Sequence, residues 1–80
     1  MMPGETSDKI LFEIQAEYLT ASVKFPEFNT AHEGYAVILE ELDELWDEVK
    51  RNPEARIREA MRKEAIQVAA MALRFIIDCC

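Results

Sequence analysis

Six carboxylates lie within nine residues of this chain, from Glu40 to Glu48, and apolar residues separate them at helical spacing. Residues three and four apart project from the same side of an α-helix, so Glu41, Glu44 and Glu48 form one acidic strip. No Lys or Arg follows until Lys50. Carboxylates beside an apolar face are costly unless a positive charge lies between them. The pattern therefore favours a divalent cation or a facing Arg or Lys.

A second group of polar residues interrupts the apolar stretch near the carboxyl end and shares one helical face: Glu64, Gln67, Arg74 and Asp78. Polar groups on an otherwise buried helix need partners. If Glu64 and Gln67 lie opposite the acidic strip, they complete a pocket of oxygen ligands. Such a pocket suits Mg²⁺ or Mn²⁺, which can hold a polyphosphate and activate an attacking water.

Four residues are weaker candidates for contacts with a substrate: Lys63, Arg74, Phe25 and Phe28. The two cations could meet phosphate, although the basic run that contains Lys63 alternates with Glu59 and Glu64 and also suits a solvated face. The two rings could stack on a base or pack in the core. Arg74 has apolar neighbours and needs a partner, for which Asp78, four residues on, is the alternative to phosphate.

The residue pattern does not support nucleophilic catalysis or zinc. Cys79 and Cys80 are adjacent at the carboxyl end, and the single histidine is His32. These residues do not form a tetrahedral zinc site, and a disulfide between neighbouring cysteines cannot link distant segments of the fold. Reduced thiols and a chain start without the features of a signal peptide indicate a cytoplasmic protein.

The amino-acid composition argues against several classes of binding partner. The net charge of -7 disfavours nucleic acid and anionic membrane surfaces, and no apolar run is long enough to span a bilayer. Half of the 80 residues are hydrophobic, more than one small domain can hide. We therefore expect a single domain over residues 1–80, with residues 1–6 flexible, that associates with further copies of itself.

The elements that must position these residues are helices, and the chain is read as all-α. Capping residues and prolines predict three helices, at about 7–23, 31–51 and from Pro53 nearly to the end. Thr30 and Glu33 stand as a capping box before the second helix. The third helix is apolar on nearly every side between 65 and 77, which predicts burial against a second subunit in a helical bundle.

Two short motifs carry a resemblance to a known family. Residues 41–45 (Glu-Leu-Asp-Glu-Leu) and 64–68 (Glu-Ala-Ile-Gln-Val) are similar to the paired motifs Glu-x-x-Glu and Glu-x-x-Asp of the MazG-like all-α nucleoside triphosphate pyrophosphatases. The resemblance covers roughly residues 30–80. It implies a Mg²⁺-dependent enzyme that forms a homodimer or homotetramer and cleaves a nucleoside triphosphate into the monophosphate and pyrophosphate.

By this resemblance Glu41, Glu44 and Glu64 match the metal-binding, catalytic carboxylates of the family. Gln67 stands where the family has an acid, although its amide oxygen can still bind Mg²⁺. Glu48 or Asp78 could then supply the missing charge. The alternative interpretation is a non-catalytic helical module that keeps the family scaffold for oligomerisation or partner binding.

Overall fold

The computed structural model describes residues 5–80, which fold into three α-helices. Helix α1 spans Ser7–Lys24, α2 spans Ala31–Val49 and α3 spans Arg58–Cys79. A single 3₁₀ turn, Pro53–Ala55, lies between α2 and α3. No strand occurs in this part of the chain. The all-α prediction is confirmed, and of the residues expected to be flexible, 1–4 lie outside the described residues.

Threonine caps begin the first two helices, as the sequence predicts. The Thr6 hydroxyl accepts a hydrogen bond from the Lys9 amide at 3.2 Å, and Thr30 accepts from the Glu33 amide at 3.0 Å. The Glu33 carboxylate accepts from the amide of Asn29 at 2.9 Å, one residue before the cap. Each side chain thus satisfies a backbone amide that has no partner within the helix.

The predicted start of the third helix at Pro53 is wrong. After the 3₁₀ turn the backbone is extended at Arg56 and Ile57, and α3 begins only at Arg58. The Arg56 side chain donates to the carbonyl of Val49 at 2.9 Å, at the end of α2. This bond satisfies a terminal carbonyl of α2 and holds the connection against that helix, so the chain turns before α3 starts.

Helix α3 is the centre of the fold. Helices α1 and α2 each pack against α3 and, within residues 5–80, not against each other. Helix α1 runs parallel to α3, because Glu13 contacts Arg62 near its start and Phe25 contacts Arg74 just past its end. Helix α2 runs antiparallel to α3. The arrangement leaves an open groove between α1 and α2, with α3 as its floor.

The core is small and sits where α1 and the loop that follows it pack against the middle of α3. Its buried apolar residues are Ala21, Phe28, Ala70 and Met71. Helix α2 approaches α3 closely at Gly34, where an added Cβ would lie 2.6 Å from the Phe75 ring. A glycine inside this helix is therefore explained by packing, at the cost of some helix propensity.

Many large apolar side chains remain exposed on the single chain: Leu11, Phe12, Leu19, Val23, Phe25, Tyr35, Leu39, Leu42, Trp46, Ile57, Ile76 and Ile77. Most lie on the outer faces of α1 and α2. Burial of α3 against a second subunit stays a prediction. Ala70 is fully covered by the chain's own helices, and the large apolar side chains that α3 leaves exposed are Ile76 and Ile77. No helix in the described residues combines the length and hydropathy needed to cross a bilayer.

Candidate metal centre and adjoining groove

Three of the predicted carboxylates converge where α2 and α3 pack together. Glu41 and Glu44 lie one helical turn apart on α2, and Glu64 faces them from α3. One carboxylate oxygen from each residue lies within 4.8 Å of the others. Glu41 and Glu64 are half-buried, while Glu44 is exposed. The site therefore combines two helices and opens to solvent on one side.

Burial and mutual repulsion change the proton affinity of this cluster. Burial, followed by a hydrogen bond and the charge of Glu44, raises the pKa of Glu41 to about 7. Burial also raises the pKa of Glu64, with the Glu44 charge as the next cause. Without a cation, the folded protein thus retains a proton here close to neutral pH. A divalent cation would remove both the repulsion and the need for that proton.

The donor set fits Mg²⁺ or Mn²⁺. All three groups offer carboxylate oxygens, the ligands that these hard cations prefer. Their oxygens, within 4.8 Å of one another, are close enough for the three residues to hold one such cation together.

Of the two residues expected to supply extra charge, one lies near the cluster. The charge of Glu48 contributes to the raised pKa of Glu64, although Glu48 also accepts a hydrogen bond from Arg51 at 3.1 Å. Asp78 is fourteen residues beyond Glu64 on α3, about 20 Å along the helix axis. The expectation that Asp78 could compensate at the metal site is therefore wrong.

Gln67 contacts a residue that the sequence analysis missed. Its side-chain Nε2 donates to Oε1 of Glu17 on α1. Glu13, one turn before Glu17, is held in the same way by Arg62 of α3. No shared spacing in the sequence indicated this pairing, because Glu13 and Glu17 are four residues apart on α1 whereas Arg62 and Gln67 are five apart on α3. The role of Gln67 as a metal ligand stays a prediction.

A groove of about 530 Å³ adjoins the cluster between α1 and α2. Glu41 and Gln67 line one end, and Phe25 and Arg74 line the other. The remaining lining residues are Glu17, Thr20, Ala21, Lys24, Pro26, Phe28, Glu33, Val37, Glu40 and Met71. The groove thus passes from carboxylates, over an apolar middle, to an aromatic end.

Arg74 is buried at the aromatic end, with only 4% of its surface exposed. Its guanidinium donates to the carbonyls of Phe25 and Pro26 and forms an ion pair with Asp78, with Nε 3.5 Å from Oδ2. The ion pair offered as the alternative to phosphate binding is confirmed. These contacts make Arg74 a support for the loop between α1 and α2.

The other candidates for substrate contacts occupy different surroundings. Phe28 is buried against the core, whereas Phe25 is 58% exposed at the groove, so only one of the two loop rings is held in the core. Lys63 is exposed, and its charge partly offsets the raised pKa of Glu64. It lies outside the groove, in a shallow pocket between α1 and α3.

The terminal cysteines are free. Burial, and then the charge of Asp78, raises the pKa of the Cys79 thiol, which weakens it as a nucleophile. No known protein family, curated protein or solved structure matches this chain, so the likeness to the MazG-like pyrophosphatases rests on the two short motifs alone.

Proposed function

We propose that this chain is a Mg²⁺-dependent nucleoside triphosphate pyrophosphohydrolase, which releases pyrophosphate and a nucleoside monophosphate. The observation that carries the proposal is the convergence of Glu41, Glu44 and Glu64, of which Glu41 also lines a groove. The sites of such enzymes need an oxygen-rich metal centre next to a cleft of ligand size, and about 530 Å³ is within the usual range for small-molecule pockets.

The three carboxylates would hold Mg²⁺, with Mn²⁺ as a substitute. When bound, the metal would neutralise phosphate charge and lower the pKa of a bound water. The protein's own contribution is to place the nucleotide. The apolar side chains of Val37 and Met71 and the exposed ring of Phe25 line the part of the groove away from the cluster, where a base would be shielded from water.

A screen of the common ribo- and deoxyribonucleoside triphosphates with Mg²⁺ or Mn²⁺, measuring pyrophosphate release, tests this proposal directly. Glu64→Gln should lower the rate on the order of a hundredfold or more, because a ligand of the metal is lost. Asp43→Asn is the matched control, since Asp43 lies on the same acidic helix but outside both the cluster and the groove. Equal rates for all three proteins, or no release by the wild type, would contradict the proposal.

The second candidate is a non-catalytic helical module. Two observations favour it: Gln67 replaces an acid of the resembling motif and is engaged by Glu17, and the chain exposes extensive apolar surface. This hypothesis expects an inactive wild type. It also expects Glu64→Gln to be neutral or stabilising, because the substitution removes a repelled carboxylate that has no cation to bind.

Either candidate is proposed to act as a homodimer or homotetramer in the cytoplasm. The support is the large share of apolar residues that the single chain leaves exposed: within residues 5–80, four apolar residues are buried and twelve large ones are exposed. A single chain with so little core gains stability by covering its outer faces with another copy. The net charge of -7 argues against nucleic acid as a partner.

A further inference from the structure

Glu17 of α1 lines both the groove and the shallow pocket that adjoins it, and one of its carboxylate oxygens has no hydrogen bond. It is half-buried, and its Oε1 accepts the bond from Gln67. Within residues 5–80 no other hydrogen bond reaches this carboxylate. The neighbouring Thr20 donates its hydroxyl to the Ala16 carbonyl at 3.0 Å and so does not compete for it. The second oxygen of Glu17 is therefore free to accept a bond from a ligand.

The position of Glu17 along the groove indicates which part of a ligand it meets. Gln67, its partner, lies one turn beyond Glu64 on α3, about 4.5 Å further from the metal cluster. Met71 lies a further turn along and belongs to the apolar part of the groove. Glu17 thus lies at the level between the carboxylate cluster and the apolar section.

A nucleotide has its sugar at the corresponding place, between phosphate and base. We propose that Glu17 accepts a hydrogen bond from a sugar hydroxyl of the nucleotide and that Gln67 positions the carboxylate for this contact, an inference that rests on the proposed function. An ionised carboxylate only accepts hydrogen bonds, and hydroxyl groups are the donors that the sugar presents. Gln67 then has a purpose that an acid at the same position could not serve, because two carboxylates would repel.

This assignment concerns the sugar. A base packed against Val37 and Met71 would lie further from the metal cluster than Glu17 does. The substrate class that follows is a nucleoside triphosphate with at least one free sugar hydroxyl, so that 2′,3′-dideoxynucleotides should be poor substrates.

The test compares each common deoxynucleoside triphosphate with its 2′,3′-dideoxy counterpart. For the wild type, loss of the hydroxyl should lower kcat/KM on the order of ten- to a hundredfold, the range for a lost hydrogen bond to a charged group. Glu17→Met keeps the length of the side chain and removes the acceptor. It should lower kcat/KM for the deoxynucleotides by the same factor, leave the dideoxynucleotides unchanged and so abolish the discrimination.

Three further variants separate a ligand contact from a structural role. Glu17→Gln retains an acceptor oxygen and should keep part of the discrimination. Gln67→Met should weaken the discrimination by releasing Glu17. The melting temperatures of Glu17→Gln and Gln67→Met are recorded as well. Glu13→Gln is the matched control, because Glu13 lies one turn away on the same helix, is held by Arg62 and does not line the groove. It should leave the discrimination intact.

Binding provides a readout that does not need turnover. Calorimetry with Mg²⁺ and the α,β-methylene analogues of dATP and 2′,3′-dideoxy-ATP should show tighter binding of the deoxy analogue to the wild type and equal binding to Glu17→Met. Equal binding of the two analogues by the wild type would overturn the role of Glu17 while leaving the proposed function in place. Discrimination in binding without any hydrolysis of triphosphates would overturn the enzyme and retain the sugar contact. Failure to bind either analogue would overturn both.

Discussion

The guanidinium of Arg74 lies over the ring of Phe28, with its central carbon 4.5 Å from the ring centroid. The same arginine pairs with Asp78, and Asp78 in turn accepts a hydrogen bond from the Phe28 amide at 3.1 Å. One buried ion pair on α3 therefore holds both the ring and the backbone of the loop that ends the groove. Cation–π and charge-assisted contacts of this kind are strongest when they are shielded from water.

Arg74→Met should destabilise the protein strongly. The side chains of Arg74 and Asp78 are only 5% and 7% exposed, so removing the cation leaves a buried carboxylate without its counter-charge, a loss on the order of 3 kcal/mol or more. Urea unfolding followed by circular dichroism measures it. In the Asp78→Asn background the same substitution should cost much less, because no charge is stranded. Additive effects of the two substitutions would contradict the coupling.

Glu41 should make the metal-free protein less stable as the pH rises. Its pKa is about 7 in the folded protein against 4.5 as the ordinary value, so the folded state binds this proton more tightly than the unfolded chain. Its contribution to stability is therefore fully present below about pH 4.5 and is lost as the pH rises through about 7. Melting temperatures of the wild type and Glu41→Gln, measured with chelator from pH 4.5 to 8.5, test this.

The difference in melting temperature between the wild type and Glu41→Gln reports the effect of Glu41 separately from carboxylates whose pKa is lowered in the folded protein. Arg62 lowers the pKa of Glu5 and Glu13, whose contributions are lost as the pH falls. Glu41→Gln should melt higher than the wild type at pH 8.5 and close to it at pH 4.5. A difference that does not change with pH would refute the proposed proton affinity of Glu41.

Magnesium should raise the melting temperature of the wild type. A ligand at tenfold its Kd that binds only the folded state adds about 1.4 kcal/mol, or about 5–10 °C for a domain of this size. Scanning calorimetry from 0 to 10 mM Mg²⁺ measures the shift. Glu41→Gln and Glu44→Gln should abolish it, whereas Asp43→Asn should retain it, because Asp43 is outside the cluster. Retention of the full shift in both cluster variants would place any bound metal elsewhere.

The outer faces of α1 and α2 should mediate self-association. Wild-type protein at micromolar concentration should sediment as a dimer or tetramer, and Leu19→Lys or Trp46→Lys should shift it toward monomer, because each places a charge in an exposed apolar face. Ala70→Glu is not a suitable probe, since Ala70 is completely covered within one chain and the variant would unfold it. A helical wild-type monomer at these concentrations would show that the exposed faces are not an interface.

The helices and their caps followed from local sequence, because their causes are local. Thr30 and Glu33 satisfy backbone amides within four residues, and the spacing of Glu41 and Glu44 places them on one side of any helix. The start of α3 could not be predicted from local sequence. Pro53 is compatible with either an α-helical or a 3₁₀ turn. The hydrogen bond from Arg56 to the Val49 carbonyl joins residues on opposite sides of Pro53.

The tertiary structure decided which polar residues meet. The pairing of Gln67 with Glu17 joins residues fifty positions apart, and it depends on α1 running parallel to α3, which no local pattern specifies. The same packing covers Ala70 and leaves the outer faces of α1 and α2 exposed, because a helix that is apolar on several sides can bury any of them. Sequence by itself determined the helices and the acidic strip. Only the packing of α1 and α2 on α3 decided that Glu64 joins the strip while Gln67 binds α1.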